Sequence, residues 1–221
     1  MKGRPAVRLL VLVAVAVLMA AISAGNRNPH HPLVHLCCGY SPAGLAAGRW
    51  WTVAGSALLI VVLHPFGVNS VLLVAVVVPS VLRAGLGRTA VAFFAGHVTA
   101  TLAVAAVVLP LAAGGWHPAE IVRVRYDVGA SAGVAAVAGA LAVSLADRRW
   151  GAAVIGAFTA DFLVRLGLSH TLAEIEHLIA LAVGVAVGRH FVRRDIGART
   201  VSSTVHGGTG TLNRVDGKRS R

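Results

Sequence analysis

TAVAFFAGHVTATLAVAAVVLPL, residues 89–111, runs for 23 residues without an Asp, Glu, Lys or Arg. Wound as an α-helix at 1.5 Å per residue it extends roughly 34 Å, enough to cross a hydrocarbon core about 30 Å thick. The run shows no alternation of period two, so it reads as a membrane helix rather than a strand. Working outward, further apolar segments lie at residues 9–24, 68–82, 128–145, 151–168 and 175–191. Short charged stretches separate them, among them Arg83 to Arg88, Glu120 to Asp127 and Asp147-Arg148-Arg149. Several segments fall short of the roughly 20 residues a span requires, so their helices are expected to extend into the adjoining loops. The pattern predicts an all-α, polytopic membrane helix bundle with six transmembrane helices.

Composition points the same way. Hydrophobic residues make up 57% of the 221, and charged residues only 13%, about half the share of an ordinary soluble domain. So little polar surface would not cover a soluble core of this size. The 25 glycines and the Ala-rich runs suit membrane helices that pack backbone to backbone. The net charge of +12 does not indicate nucleic acid. The basic residues sit at the ends of apolar blocks and in the last thirty residues, with no folded basic face. Anionic membrane lipid is the simpler partner.

The order of charges predicts a topology. With the N-terminus inside and six spans, the cytoplasmic side holds Lys2, Arg4, Arg8, Arg83, Arg88, Arg148, Arg149, Arg189, Arg193 and Arg194. The outer side holds Arg27, Arg49, Arg123 and Arg125, with Arg165 near the outer end of the fifth span. This is the positive-inside bias. Counting residues 50–63 as a seventh span would place Arg83, Arg88, Arg148, Arg149 and Arg189 outside. That tract, opening with Trp50-Trp51 and followed by Pro65, Gly67 and Asn69, is read as lying at or dipping into the outer interface. The expected layout is a cytoplasmic N-terminus (1–8), a cell-membrane domain (9–194) and a basic, disordered cytoplasmic tail (195–221). Residues 9–24 are read as a retained span, although Ser23 and Ala24 at its end also suit a cleaved signal peptide.

Polar groups inside the apolar blocks are the functional candidates. The fourth span opens Tyr126-Asp127-Val128-Gly129-Ala130-Ser131-Ala132-Gly133, and the sixth opens Glu174-Ile175-Glu176-His177-Leu178-Ile179-Ala180. Both run from outside to inside, which puts Ser131 and His177 within roughly 5 Å of one depth. Ser131, Ala135 and Gly139 form one small-residue stripe, and His177, Ala180, Gly184 and Gly188 another. Such faces let helices approach closely. An imidazole within about 3 Å of a serine hydroxyl can take its proton and return it to a leaving group. Glu174 and Glu176 are both candidates to orient that imidazole. A serine in a membrane helix also commonly bonds its own backbone one turn back.

His97 lies deeper in the third span, where packing or helix–helix hydrogen bonding is the expected role. Asp161 and Arg165, one turn apart, read as a buried ion pair acting as a structural lock, with a transport path as the alternative. His30, His31, His35, Cys37 and Cys38 lack the second, separated ligand pair of a zinc site. No metal or cofactor is expected.

The segment Gly129-Ala130-Ser131-Ala132-Gly133-Val134-Ala135-Ala136-Val137-Ala138-Gly139, with His177-Leu178-Ile179-Ala180-Leu181-Ala182-Val183-Gly184 and Gly188, resembles the rhomboid family of intramembrane serine proteases, especially its divergent actinobacterial-type branch. The resemblance covers roughly residues 8–192. The tract 50–63 resembles the family's outer-leaflet loop, Arg83 to Arg88 the turn after its second helix, and Gly96 to Leu102 a segment of the rhomboid-like branch. It implies a rhomboid-like six-helix fold, Ser131 as nucleophile and His177 as general base. Gly129, Ala132 and Gly184 would support them, and the oxyanion would meet backbone N–H groups near Ser131 and a donor from the second span, for which Asn69 is the candidate. The implied reaction is endopeptidase cleavage of a transmembrane helix near the outer face.

The chain departs from the family at two places. Ala132 stands where the proteases carry glycine, and the second-helix pattern of two histidines and an asparagine is replaced by His64-Pro65-Phe66-Gly67-Val68-Asn69. A catalytically inactive rhomboid-like protein that binds or retains membrane helices is therefore the alternative, and the sequence leaves open whether the chain is an enzyme. A small transporter, suggested by Asp161 and Arg165, lacks the inverted repeat or broken helices that would support it.

Overall fold

The computed structural model describes residues 39–58, 68–127, 129–145, 147–169 and 172–207. The first span (9–24), the His30 to Cys38 cluster, His64, and the tail beyond 207 lie outside these residues. The chain is an all-α bundle. Its described helices are α1 (Pro42–Ala46), α2 (Trp51–Leu58), α3 (Val68–Ala84), α4 (Leu86–Ala113), α5 (His117–Val124), α6 (Ser131–Ser144), α7 (Arg148–Ser169) and α8 (Leu172–Gly207). Among the described residues, three helices are long and apolar enough to cross a membrane: Leu86–Ala113, Arg148–Leu168 and Ala173–Gly197. Val74–Ala84 and Ser131–Ser144 are shorter apolar helices.

The centre of the bundle is α6, the fourth expected span. Residues Ala132, Gly133, Val134, Ala135, Ala136, Val137, Ala138 and Gly139 are all buried, because α8, α4, α3 and α7 surround it, α8 most extensively. Its 14 residues extend only about 21 Å. Small side chains allow the close packing. A Cβ on Gly184 would collide with the carbonyl oxygen of Ala136, and one on Gly139 with that of Leu181. One on Gly188 would come within 2.9 Å of Ala140. The two small-residue stripes therefore meet face to face.

Tight turns and local pairs set the remaining geometry. Between α3 and α4 the reversal is made by Gly85 alone, at φ 91°, a conformation that side-chain-bearing residues rarely adopt. The hydroxyls of Ser80 and Thr89 meet at 2.9 Å across this turn. At the same end, Arg83 Nε donates to the Ser144 carbonyl at 3.0 Å. Arg88 holds Asp195 through two bonds of 2.6 Å.

Three expectations need correction. The sixth helix does not end at 191 with a disordered tail after 194; α8 continues to Gly207. The Arg88–Asp195 pair fastens it near the end of the membrane-length part, Ala173–Gly197. The helix of the fourth expected span starts at Ser131 rather than at 128; ahead of it Asp127 is tied to Tyr40, whose N–H and carbonyl exchange bonds of 3.1 and 2.7 Å with it. The Asp161–Arg165 pair forms, with Nε to Oδ2 at 3.0 Å, but its side chains are 46% and 50% exposed on the outside of α7. It is not a lock in the bundle interior. The face of α7 turned inward is the one carrying Phe158 and Phe162, which pack into the core.

Candidate active site

The segment that delivers Ser131 is pinned from two sides. Asp127 pairs with Tyr40, and the Gly129 N–H donates to the Ser56 carbonyl of α2 at 3.1 Å. Tyr40 is itself buried, and its hydroxyl donates to the Thr101 carbonyl of α4 at 3.2 Å. Burial first, and then the nearby carboxyls of Glu176 and Asp127, push the Tyr40 phenol above its ordinary range. It therefore remains protonated and keeps its donor role.

Helix α6 begins at Ser131 itself. The first residues of an α-helix have backbone N–H groups with no acceptor inside the helix. In α6 the Val134 N–H closes the first bond, to the Ala130 carbonyl at 2.9 Å. The N–H groups of Ser131, Ala132 and Gly133 thus stand at the positive end of the helix dipole, beside the Ser131 hydroxyl.

Opposite it stands α8. His177 is the sixth residue of that helix, one turn deeper than the sequence suggests, because α8 starts at Leu172. Ser131 Oγ and His177 Nε2 are 2.8 Å apart. The other ring nitrogen, Nδ1, lies 3.1 Å from Glu174 Oε2. A carboxylate only accepts, so a neutral imidazole bonded to it would carry its hydrogen on Nδ1 and leave Nε2 to accept from the serine. The His177 and Glu174 side chains are 14% and 11% exposed. Phe162 of α7 stacks on the imidazole, ring centroids 4.8 Å apart and planes 23° from parallel.

Comparison with protein-family models, curated proteins and solved structures finds no match to this chain.

Among the other expected site residues, Gly129 lies in the loop, and a Cβ there would sit 3.6 Å from Ser131 Oγ. Ala132 is buried in an apolar cluster with Ala100, Ala135, Ala136, Phe162 and Ala180. Gly184 serves the contact between α6 and α8 rather than the site itself. Asn69 falls in the first turn of α3, and its side chain lies outside the described residues. Glu176, the rival of Glu174, is buried and faces the Asp127 carboxyl rather than the imidazole.

His97 is not brought to Ser131. Its Nε2 lies 2.9 Å from the Val53 carbonyl and 3.2 Å from Ser56 Oγ, which ties α4 to α2. This joint positions the active-site loop indirectly, since the same Ser56 accepts from Gly129. Sequence reading did not find Phe162. Its one available signal was Phe158 and Phe162 at a spacing of four, a single aromatic face on α7. Among the described residues, no group of three or more His, Cys, Asp or Glu is placed to hold a metal ion.

Proposed function

We propose that the chain is a rhomboid-like intramembrane serine endopeptidase with six spans and both termini cytoplasmic. It cleaves transmembrane helices near their outer ends through Ser131 and His177. The observation that carries this reading is the 2.8 Å separation of Ser131 Oγ and His177 Nε2, on two helices that meet through glycine and alanine. The proposed side of the membrane is supported by Arg83 and Arg88 lying at the end of the bundle opposite Ser131.

In this reaction the Ser131 oxygen bonds to the scissile carbonyl carbon as its proton passes to Nε2. Negative charge develops on the carbonyl oxygen, which the N–H groups at the start of α6 are oriented to meet. Collapse breaks the C–N bond, and the departing amine takes the proton from Nε2. Water then attacks the resulting ester, giving one proton to Nε2, and the Ser131 oxygen regains it as the acid product leaves.

The test does not require a known substrate. Membranes of cells carrying the wild-type chain or Ser131→Ala are compared by N-terminal peptide profiling. New termini near the outer ends of transmembrane helices, present with wild type and missing with Ser131→Ala, are expected. Identical sets of termini would refute the reading. The alternative, a rhomboid-like protein that binds membrane helices without cutting them, draws on Ala132 and on the altered second-helix pattern at residues 64–69. It is favoured if crosslinked partners persist uncleaved in both proteins.

A further inference from the structure

We infer that Glu174 is a positioning residue, the third member of a Ser–His–Glu chain. This inference rests on the protease reading for its purpose but not for its geometry. A glutamate in the first turn of a helix is favourable on dipole grounds alone, so its place in α8 is not the argument. The argument is where its oxygen goes. Glu174 Oε2 is directed to His177 Nδ1 at 3.1 Å rather than left in solvent, and both side chains are largely enclosed.

Three contacts on one ring fix its state. Glu174 accepts the Nδ1 hydrogen, Ser131 stands at Nε2, and Phe162 covers a face. Turning the ring over would put the carbons Cδ2 and Cε1 where Nδ1 and Nε2 now meet Glu174 and Ser131, and break both hydrogen bonds. The carboxylate thereby selects the tautomer whose Nε2 lone pair faces the serine. It also stabilises the imidazolium formed when Nε2 takes the serine proton, which is the role of the buried acid in a soluble catalytic triad. Glu176, two residues on, does not share this role, because it is engaged with Asp127 on another face of α8.

Two measurements test this on the full-length protein in detergent micelles or bilayers. The first is the nitrogen chemical shifts of His177 in protein labelled with 15N-histidine, assigned by loss of the signal in His177→Ala. Wild type is expected to carry the hydrogen on Nδ1, with Nε2 free of it. Glu174→Gln is expected to lose that preference, and Glu174→Asp to retain part of it. The second is the rate of Ser131 modification by a fluorophosphonate, expected to fall at least about tenfold in Glu174→Gln and less in Glu174→Asp. Glu174→Gln with unchanged His177 tautomer and a modification rate within about twofold of wild type would overturn the inference. If wild type does not react with the fluorophosphonate, the protease reading fails, and the nitrogen shifts alone decide the role of Glu174. A Glu174→Gln protein that does not fold leaves the decision to wild type and Glu174→Asp: Nδ1 without its hydrogen in either would overturn the inference.

Discussion

At the scale of single residues, the site depends on how closely the imidazole is confined. Phe162 supplies the confinement from α7, while Ser131 and Glu174 supply it from α6 and α8. Replacing Phe162 with leucine keeps most of the volume and removes the stack. The expected cost is about 1 kcal/mol of stability, with a several-fold slower modification of Ser131, measured by thermal unfolding in detergent and by fluorophosphonate kinetics. An unchanged rate would mean that the stack does not hold the ring in its working position.

At the scale of elements, the contact between α6 and α8 brings serine and histidine together. Gly184 lies against the Ala136 carbonyl, where a side chain has no room. Gly184→Val is expected to lower stability by about 1–3 kcal/mol or more and to slow Ser131 modification strongly, because the two helices must separate. Gly156 on α7 has open space around its would-be Cβ, so Gly156→Val is expected to stay within about 0.5 kcal/mol of wild type. Equal effects of the two substitutions would contradict the packing account. The Arg88–Asp195 pair binds the start of α4 to the far part of α8. Its side chains are 40% and 46% exposed, so solvent screening discounts it. A double-mutant cycle is expected to give about 0.5–1 kcal/mol despite the bidentate geometry, falling at high salt.

Much of this was legible in the sequence. Apolar length marks α4, and small residues at spacings of three and four mark the faces of α6 and α8. Equal depth in two segments that enter from the same side is what marks Ser131 and His177 as a candidate pair. What was not legible is what helix rotation decides. Nothing in the spacing of Asp161 and Arg165 says that they face outward while Phe162 faces in. Nor does it say that Glu174 turns to the imidazole and Glu176 to Asp127. The continuation of α8 to Gly207 was hidden because polar composition resembles that of a disordered tail, whereas a long-range partner, Arg88, fastens it at Asp195.

At the scale of the whole molecule, the bundle has two chemically different ends. One carries Ser131, His177 and the Tyr40–Asp127 clasp; the other carries Arg83, Arg88 and Asp195. Positive charge favours the cytoplasmic side, which would place the reacting pair near the outer surface. In a variant lacking Cys37 and Cys38, a cysteine at Arg123 is expected to react with a membrane-impermeant maleimide added outside intact cells, and one at Arg149 only after permeabilisation. The reverse pattern would invert the topology and move the site to the other leaflet.

The central claim is that the Ser131 oxygen is made nucleophilic by His177 across a helix–helix contact. Tandem mass spectrometry of the fluorophosphonate-treated protein addresses it at the level of the atom concerned. A phosphonyl group on Ser131 is expected in wild type, absent in Ser131→Ala and reduced by at least about a hundredfold in rate in His177→Ala. Modification of other serines only, or equal modification of Ser131 with and without His177, would contradict it.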